Sequence, residues 1–349
     1  MNPAARENFR QQAGWCERLG SPFTARLCRL LHDGLDEHSV FGERLLNWPG
    51  PPEADTIALR ACAAFAFLAR QGEPNLVKLY PPNPPADESA LERGIAQAIR
   101  DFDAELTAFL DSAPQTNEVG RSAILLPGYL EIAARVGLPL SIREIGASAG
   151  LNLWFDQYYY AYCDSNWGSA KASVRMACEW RGGPPPPSGA LQIADRRGCD
   201  LAPIDPSNER SRNRMLSYVW ADQNERLARA EAAMRLAAMR PDRVEAIDAA
   251  LFVAREFAAL SPGQALTLTH TIFWQYLSDA TKTALRATIA EAAGRAMPES
   301  PLAWLRLEAE SEEKRGAVLR LSIWPHGPID AKLAVASFHG AWFEWQGVG

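Results

Sequence analysis

The stretch that most constrains the fold is residues 141–153, Ser-Ile-Arg-Glu-Ile-Gly-Ala-Ser-Ala-Gly-Leu-Asn-Leu. Ile142 and Ile145 around Glu144 make a short apolar strand. Gly146-Ala-Ser-Ala-Gly150 then forms a turn of small residues, and the residues after it predict a helix start. Strand, tight turn and helix is the arrangement by which α/β proteins bring backbone N–H groups against a ligand.

The chain downstream keeps that rhythm. Residues 191–199, 243–248, 265–270 and 302–307 read as strands, separated by helices over about 208–239, 249–260 and 279–296. The alternation predicts a Rossmann-like, doubly wound, mainly parallel sheet with helices on both faces. Residues 318–324 and 333–338 predict an antiparallel hairpin at its edge. The aromatic run 156–162 and the run 172–180 predict a β-hairpin insertion at about 156–188.

Upstream, residues 1–138 read as helical. Ser21-Pro22 marks a helix start, and helices are predicted over 23–35, 56–71, 89–110 and 122–136, with breaks at 49–52 and 80–85. At 349 residues the chain is long for one core. The expected division is a helical cap or substrate region, 1–138, and an α/β domain, 139–349.

Composition bounds the partners. A formal charge of −6 gives no electrostatic reason for nucleic acid or an anionic membrane. The longest apolar run, 58–69, is interrupted by Arg60 and is too short to span a bilayer. Residues 1–7 are polar and lack a signal peptide's apolar core, which favours a cytoplasmic setting. The six cysteines contain no C-x-x-C pair and the five histidines are scattered, so reduced buried thiols and no metal site are expected.

Residues 115–121, Gln-Thr-Asn-Glu-Val-Gly-Arg, form a dense polar set before the helix 122–136. A helix cap explains Thr116 or Asn117 with Glu118. A polar wall facing a ligand would also use Gln115 and Arg121.

The loop itself admits two chemistries. Gly146-Ala-Ser-Ala-Gly150 satisfies G-x-S-x-G, the nucleophile elbow of α/β-hydrolases. On that reading Ser148 is the nucleophile of a serine hydrolase, with Asp248 and His270 or His339 completing a triad. Against it, the preceding 140 or so residues read as helical and offer no oxyanion-hole loop. The other reading takes Glu144-x-Gly146-x-x-x-Gly150 as the first loop of a nucleotide-type fold. Ser148 stands where a dinucleotide fingerprint needs its second glycine, the one that admits a pyrophosphate; a ligand with no phosphate would tolerate that.

At four successive strand ends the chain resembles class I S-adenosylmethionine-dependent methyltransferases: Glu144 to Gly150, Gly198-Cys-Asp-Leu-Ala-Pro203, Ile247-Asp-Ala249, and residues 266–279. The resemblance implies S-adenosylmethionine as cofactor and a small-molecule acceptor. Glu144, Gly146 and Gly150, with Ala147, Ser148 and Asn152 of the same loop, would hold its methionyl end. Asp200 would grip the ribose and Asp248 the adenine side. The interval from Gly150 to Asp200 is long, leaving Glu179 and Asp164 as competing ribose acids. Asn117, Glu118, Arg121 and His270 would orient or deprotonate the acceptor, although His270 reads equally well as a hydrogen-bonded structural imidazole. Trp274 and Tyr276 read as core residues that a sulfonium could also approach.

Over most of its length the chain also resembles a bacterial family catalogued only as a domain of unknown function, DUF2332. The resemblance rests on residues 115–121, 144–153, 197–205, 220–226 and His339-Gly340. It supplies no activity, so a non-catalytic binding or scaffold protein on a methyltransferase-like fold is a third reading.

Overall fold

A computed structural model describes residues 3–83, 87–163, 165–184, 191–240 and 243–347. The chain divides into two compact units, one of residues 1–116 and 208–231, the other of 117–207 and 232–349.

The first unit is helical: α1 (Pro3–Arg18), α2 (Pro22–Gly34), α3 (Val40–Leu46), α4 (Ile57–Arg70), α5 (Pro74–Val77) and α6 (Glu88–Phe109). Helix α7 (Ser122–Val136) belongs to the second unit, and α8 (Glu209–Ser217) returns to the first. Helix α4 carries the core, burying Ile57, Phe65 and Phe67. Its buried charge, Arg60, is satisfied by the carbonyls of Asp55 and Leu110 at 2.7 and 2.9 Å.

Residues 208–239 do not form the single helix that periodicity predicts. The chain breaks between α8 and α9 (Asn224–Ala237). Ser217 Oγ donates back to the Asn213 carbonyl, a bond that competes with helix continuation. Asp222, in the break, accepts from the Ser21 hydroxyl and, at 2.8 Å, from the Phe23 N–H. The predicted helix start at Pro22 is thus capped from 201 residues away.

In the second unit α7 (Ser122–Val136) leads into β1 (Leu140–Ile145). The strands β2 (Tyr159–Tyr162), β3 (Ser165–Trp167) and β4 (Arg175–Ala177) make a small separate sheet in the order β3-β2-β4. The two aromatic stretches do pair, but in parallel, with Tyr159 opposite Arg175; the hairpin is β2-β3. The remaining strands are β5 (Glu179–Gly182), β6 (Ile193–Asp200), β7 (Val244–Ala246), β8 (Ala265–Thr271), β9 (Leu302–Ala309), β10 (Ala317–Trp324), β11 (Ala331–Ala336) and β12 (Trp342–Trp345). They form one nine-stranded sheet with β1, in the order β5-β12-β11-β10-β9-β8-β1-β6-β7.

From β7 to β9 the sheet is parallel, and β9 to β12 run as an antiparallel meander. The predicted hairpin exists as β10-β11, but it is not an edge. Strand β12 pairs with β11, and β5, from the inserted segment, pairs in parallel with β12 and takes the edge. The mixed α/β architecture, with a helical N-terminal region and a large mostly parallel sheet, matches expectation.

Helices α10 (Ala249–Glu256) and α11 (Asp279–Arg295) cover one face, where Phe252, Val253, Leu285 and Ile289 pack with Ile145, Leu266 and Leu268. Helix α7 covers the other. Its Gly128 lets the helix sit close: a Cβ there would lie 2.6 Å from Leu305 of β9. Among the described residues no helix is long and apolar enough to cross a membrane.

Candidate functional site

After β1 the chain moves outward to β6 and β7, then returns to lay β8 on β1's other side. Such a reversal leaves a crevice at the carboxyl ends of the two central strands, where ligands of open α/β sheets bind. The row crossing the sheet there is Gly198, Glu144, Thr269 and Leu305, paired across β6, β1, β8 and β9. Side chains alternate along a strand, so Glu144 and Thr269 share Leu305's face, the one covered by α7.

The loop after β1 turns through two glycines, Gly146 (φ +67°) and Gly150 (φ +70°), with Ser148 at φ +53° between them. Its backbone is held on all sides. The Ala147 N–H donates to the Cys199 carbonyl at 2.9 Å, and the Ser148 N–H donates to Asp200 Oδ2 at 3.0 Å. A Cβ on Gly146 would fall 2.2 Å from the Phe273 ring. No α-helix follows; the chain continues as a 3-10 helix, Leu151–Gln157. Arg196 anchors that segment with a bidentate pair to Asp156 at 2.6 and 2.8 Å and a bond to the Leu153 carbonyl.

The polar set before α7 meets this loop. Asn117 Oδ1 accepts from the Leu151 N–H at 2.9 Å, and Ser122 Oγ lies 2.6 Å from Asn152 Oδ1 as donor. Buried Glu118 accepts from the Gly120 N–H. Arg121 Nε donates to the Phe338 carbonyl at 3.0 Å and Nη1 to the Thr271 carbonyl at 3.3 Å. Gly120 and Gly340 pack backbone to backbone: a Cβ on Gly340 would stand 2.1 Å from the Gly120 carbonyl oxygen. Residues 117–122, 144–152, Asp200 and 338–340, far apart in the chain, therefore form one connected set.

Two observations distinguish this place. Of six non-glycine residues with left-handed backbone among those described, three stand in these loops: Asn117 (φ +33°), Ser148 (φ +53°) and Ile272 (φ +47°). Each costs about 1–3 kcal/mol, and such strain concentrates at ligand sites. The second is a group of buried polar atoms without hydrogen-bond partners: Glu144 Oε2, Ser148 Oγ, Asn152 Nδ2 and Thr269 Oγ1. An unmet buried polar atom costs about 1–3 kcal/mol.

Burial pushes the Glu144 carboxyl up to about 8, and the charge of Asp200 adds to the rise. The nearby Asn152 amide, which stops short of hydrogen-bonding contact, and Arg121 oppose it. At neutral pH Glu144 is therefore mostly a neutral acid. Cys199, behind it, is pushed up to about 12 by burial; the Gly146 N–H opposes this, while Asp200, Asp248 and Glu144 add to it. All three strand-end acids thus bear on one point.

Several candidates lie elsewhere or are already engaged. His270, one residue beyond Thr269, faces the opposite side of the sheet and is fully buried. Trp304 Nε1 can only donate, and it reaches His270 Nε2 at 3.0 Å. The proton is thereby assigned to Nδ1, which donates to Glu308 at 2.5 Å. Both imidazole nitrogens are in use, and Trp274 stacks on the ring. Asp200 Oδ1 also accepts from the Ala202 N–H, and Asp248 caps α10 through the N–H groups of Ala250 and Leu251. Ser148 Oγ has no base in hydrogen-bonding reach. Glu179 is exposed on edge strand β5, and Asp164 lies outside the described residues. Tyr276 is 75 % exposed and is not a core residue; His326 and His339 are exposed. Among the described residues no group of three or more His, Cys, Asp or Glu could hold a metal ion.

Sequence reasoning passed over Thr269, Ser122 and Phe273. Thr269 was within reach of it: as one of β8's alternating threonines, it faces Glu144 once the two strands pair.

The fold and site define a mixed α/β protein with a mostly parallel sheet and a candidate site at the β1/β8 reversal. The chain belongs to the family described as "uncharacterized protein conserved in bacteria (DUF2332)", whose model matches residues 6–345. No curated protein and no solved structure matches it.

Proposed function

We propose that the α/β unit binds S-adenosylmethionine in the crevice at the ends of β1 and β8, as a methyltransferase-like enzyme acting on a small molecule. The observation that carries this reading is the unpartnered polar set around Glu144. A neutral or ionised carboxyl, an amide N–H and two hydroxyls suit an amino-acid head group, which offers both an ammonium and a carboxylate.

The remaining residues fit the rest of that cofactor. Asp200 keeps lone pairs beyond its two backbone bonds and can accept from ribose hydroxyls. Leu201, 77 % exposed, and Leu251, 64 % exposed, follow the acids at the ends of β6 and β7 and offer apolar surface to a flat base. A diphosphate suits the site poorly. Phe273 covers the face of Gly146, and the Leu151 N–H that opens the 3-10 segment is already taken by Asn117. That favours a nucleoside without phosphates over a dinucleotide.

When bound, the cofactor would supply an electrophilic methyl group on sulfur. The protein's part is alignment. Asn117 and Arg121 hold the loops after β1 and β8 through backbone groups, and so act as positioning residues. Calorimetric titration with S-adenosylmethionine and S-adenosylhomocysteine tests the reading. No heat at high micromolar ligand, with the protein folded by circular dichroism, would end it.

A serine-hydrolase reading retains one supporting observation, the left-handed backbone of Ser148 in a G-x-S-x-G turn. Labelling by a fluorophosphonate that disappears in Ser148→Ala would establish it in place of the first.

A further inference from the structure

The helical unit contains two apolar surfaces that face one another without closing. Tyr80 and Ala66 belong to the main helical core, whereas Leu216, Val219 and Ala230, with Leu227 against them, form a separate small cluster. Between them lies a cleft of about 150 Å³, floored by Ala66 and Ala69 of α4. A second, much smaller cavity of about 20 Å³ adjoins it, sharing Ala66, Tyr80, Val219 and Ala221 as walls. The alanines of the floor leave room that a leucine would fill. A volume of the cleft's size holds one small aromatic ring, and small-molecule sites are mostly apolar with a few placed polar groups.

Here those groups exist and lack partners. Tyr80 lines both cavities and is 6 % exposed, yet its hydroxyl has no hydrogen-bond partner. Burial holds its phenol protonated, so it keeps a proton to donate. Arg70, on the wall of the larger cleft, has a buried Nε–H that is also unpartnered. Its charge is already met, because Nη2 donates to Glu231 at 2.7 Å. Both unmet groups can donate, and Arg70 Nε can only donate. An occupant must therefore present acceptors. With Glu231 neutralising Arg70, an added carboxylate would lose its hydration with no unpaired positive charge to offset the loss.

We propose that this cleft binds an uncharged, largely apolar small molecule whose carbonyl oxygen accepts from Tyr80 and Arg70. The site is independent of the crevice at the end of β1.

Saturation-transfer NMR on the full chain, with acetophenone, ethylbenzene and benzoate as probes, tests it. Acetophenone is expected to bind about tenfold more tightly than ethylbenzene, the share of one buried hydrogen bond. Benzoate is expected to bind more weakly than acetophenone. Tyr80→Phe should lower acetophenone affinity about tenfold and leave ethylbenzene unchanged. Ala69→Met, which fills the floor, should abolish both signals. Leu227→Phe fills the cleft from the opposite wall, should Ala69→Met fail to fold by circular dichroism. Equal binding of acetophenone and ethylbenzene, tighter binding of benzoate, or signals that survive filling would each overturn the proposal.

Discussion

Replacing Glu144 with glutamine should make the protein more stable at alkaline pH, and the size of the gain follows from the burial of this one side chain. The carboxyl titrates near 8 in the folded chain, against 4.5 for an ordinary glutamate. Between those values the native state holds a proton that the unfolded state has released. Stability therefore falls as pH rises through that window. The contribution is fully present below about pH 4.5 and is lost by about pH 8. At about 1.4 kcal/mol per pH unit, the span amounts to about 3–5 kcal/mol once partial access of water to the ionised form is allowed for. For a unit of this size that is roughly 10 °C in Tm. Glutamine mimics the protonated acid in shape and cannot ionise. The Tm difference between Glu144→Gln and the parent should be near zero at pH 4.5 and reach roughly 10 °C in favour of glutamine at pH 8.5. Thermal melts by circular dichroism at constant ionic strength measure it, and titrations common to both proteins cancel. Two parallel Tm curves across that range, or a glutamine variant that is the less stable at pH 8.5, would refute the assignment of Glu144 as a buried neutral acid.

Other perturbations separate the remaining roles. Arg196→Met leaves Asp156 nearly buried without its partner and should cost about 3 kcal/mol in urea unfolding, part of which Asp156→Asn should restore. Gly340→Ala, with its Cβ driven onto the Gly120 carbonyl at left-handed φ, should lower stability by about 3 kcal/mol or more, whereas Gly137→Ala, left-handed but in open space, should cost only about 1 kcal/mol. His270→Gln should lower stability by about 2–4 kcal/mol, since it breaks the Trp304–His270–Glu308 chain, yet change S-adenosylmethionine affinity less than twofold by calorimetry. A large affinity loss there would mean that the imidazole serves the crevice after all.

Much of the α/β unit was legible because its signals are local. Strands with β-branched residues and helices with apolar stripes announced themselves at 122–136, 265–270 and 279–296, and the acids closing three strands marked the end at which a crevice forms. What stayed hidden depends on distant partners. Nothing near residue 222 says that its carboxylate caps a helix beginning at Pro22, so the break in the helix 208–239 was unreadable. The edge of the sheet was misjudged because the strand that takes it, β5, comes from the inserted segment. His270 illustrates a subtler limit. Every residue of β8 is buried on one face or the other, so apolar alternation cannot tell which face a polar residue serves. Only pairing with β1 separates Thr269, beside Glu144, from His270, behind it.

The pairing of β5 with β12 also governs how this protein can be made. Strand β5 leaves the ribosome about 160 residues before β12, the strand it pairs with in the large sheet. Until β12 arrives, both β5 and the outer side of β11 present unpaired backbone groups, the kind of edge that recruits strands from other molecules. Growing chains that stall between those two points would be the species most in need of a chaperone. A cell producing this protein faster than synthesis can be completed should accumulate aggregates seeded by the nascent form rather than by the finished one.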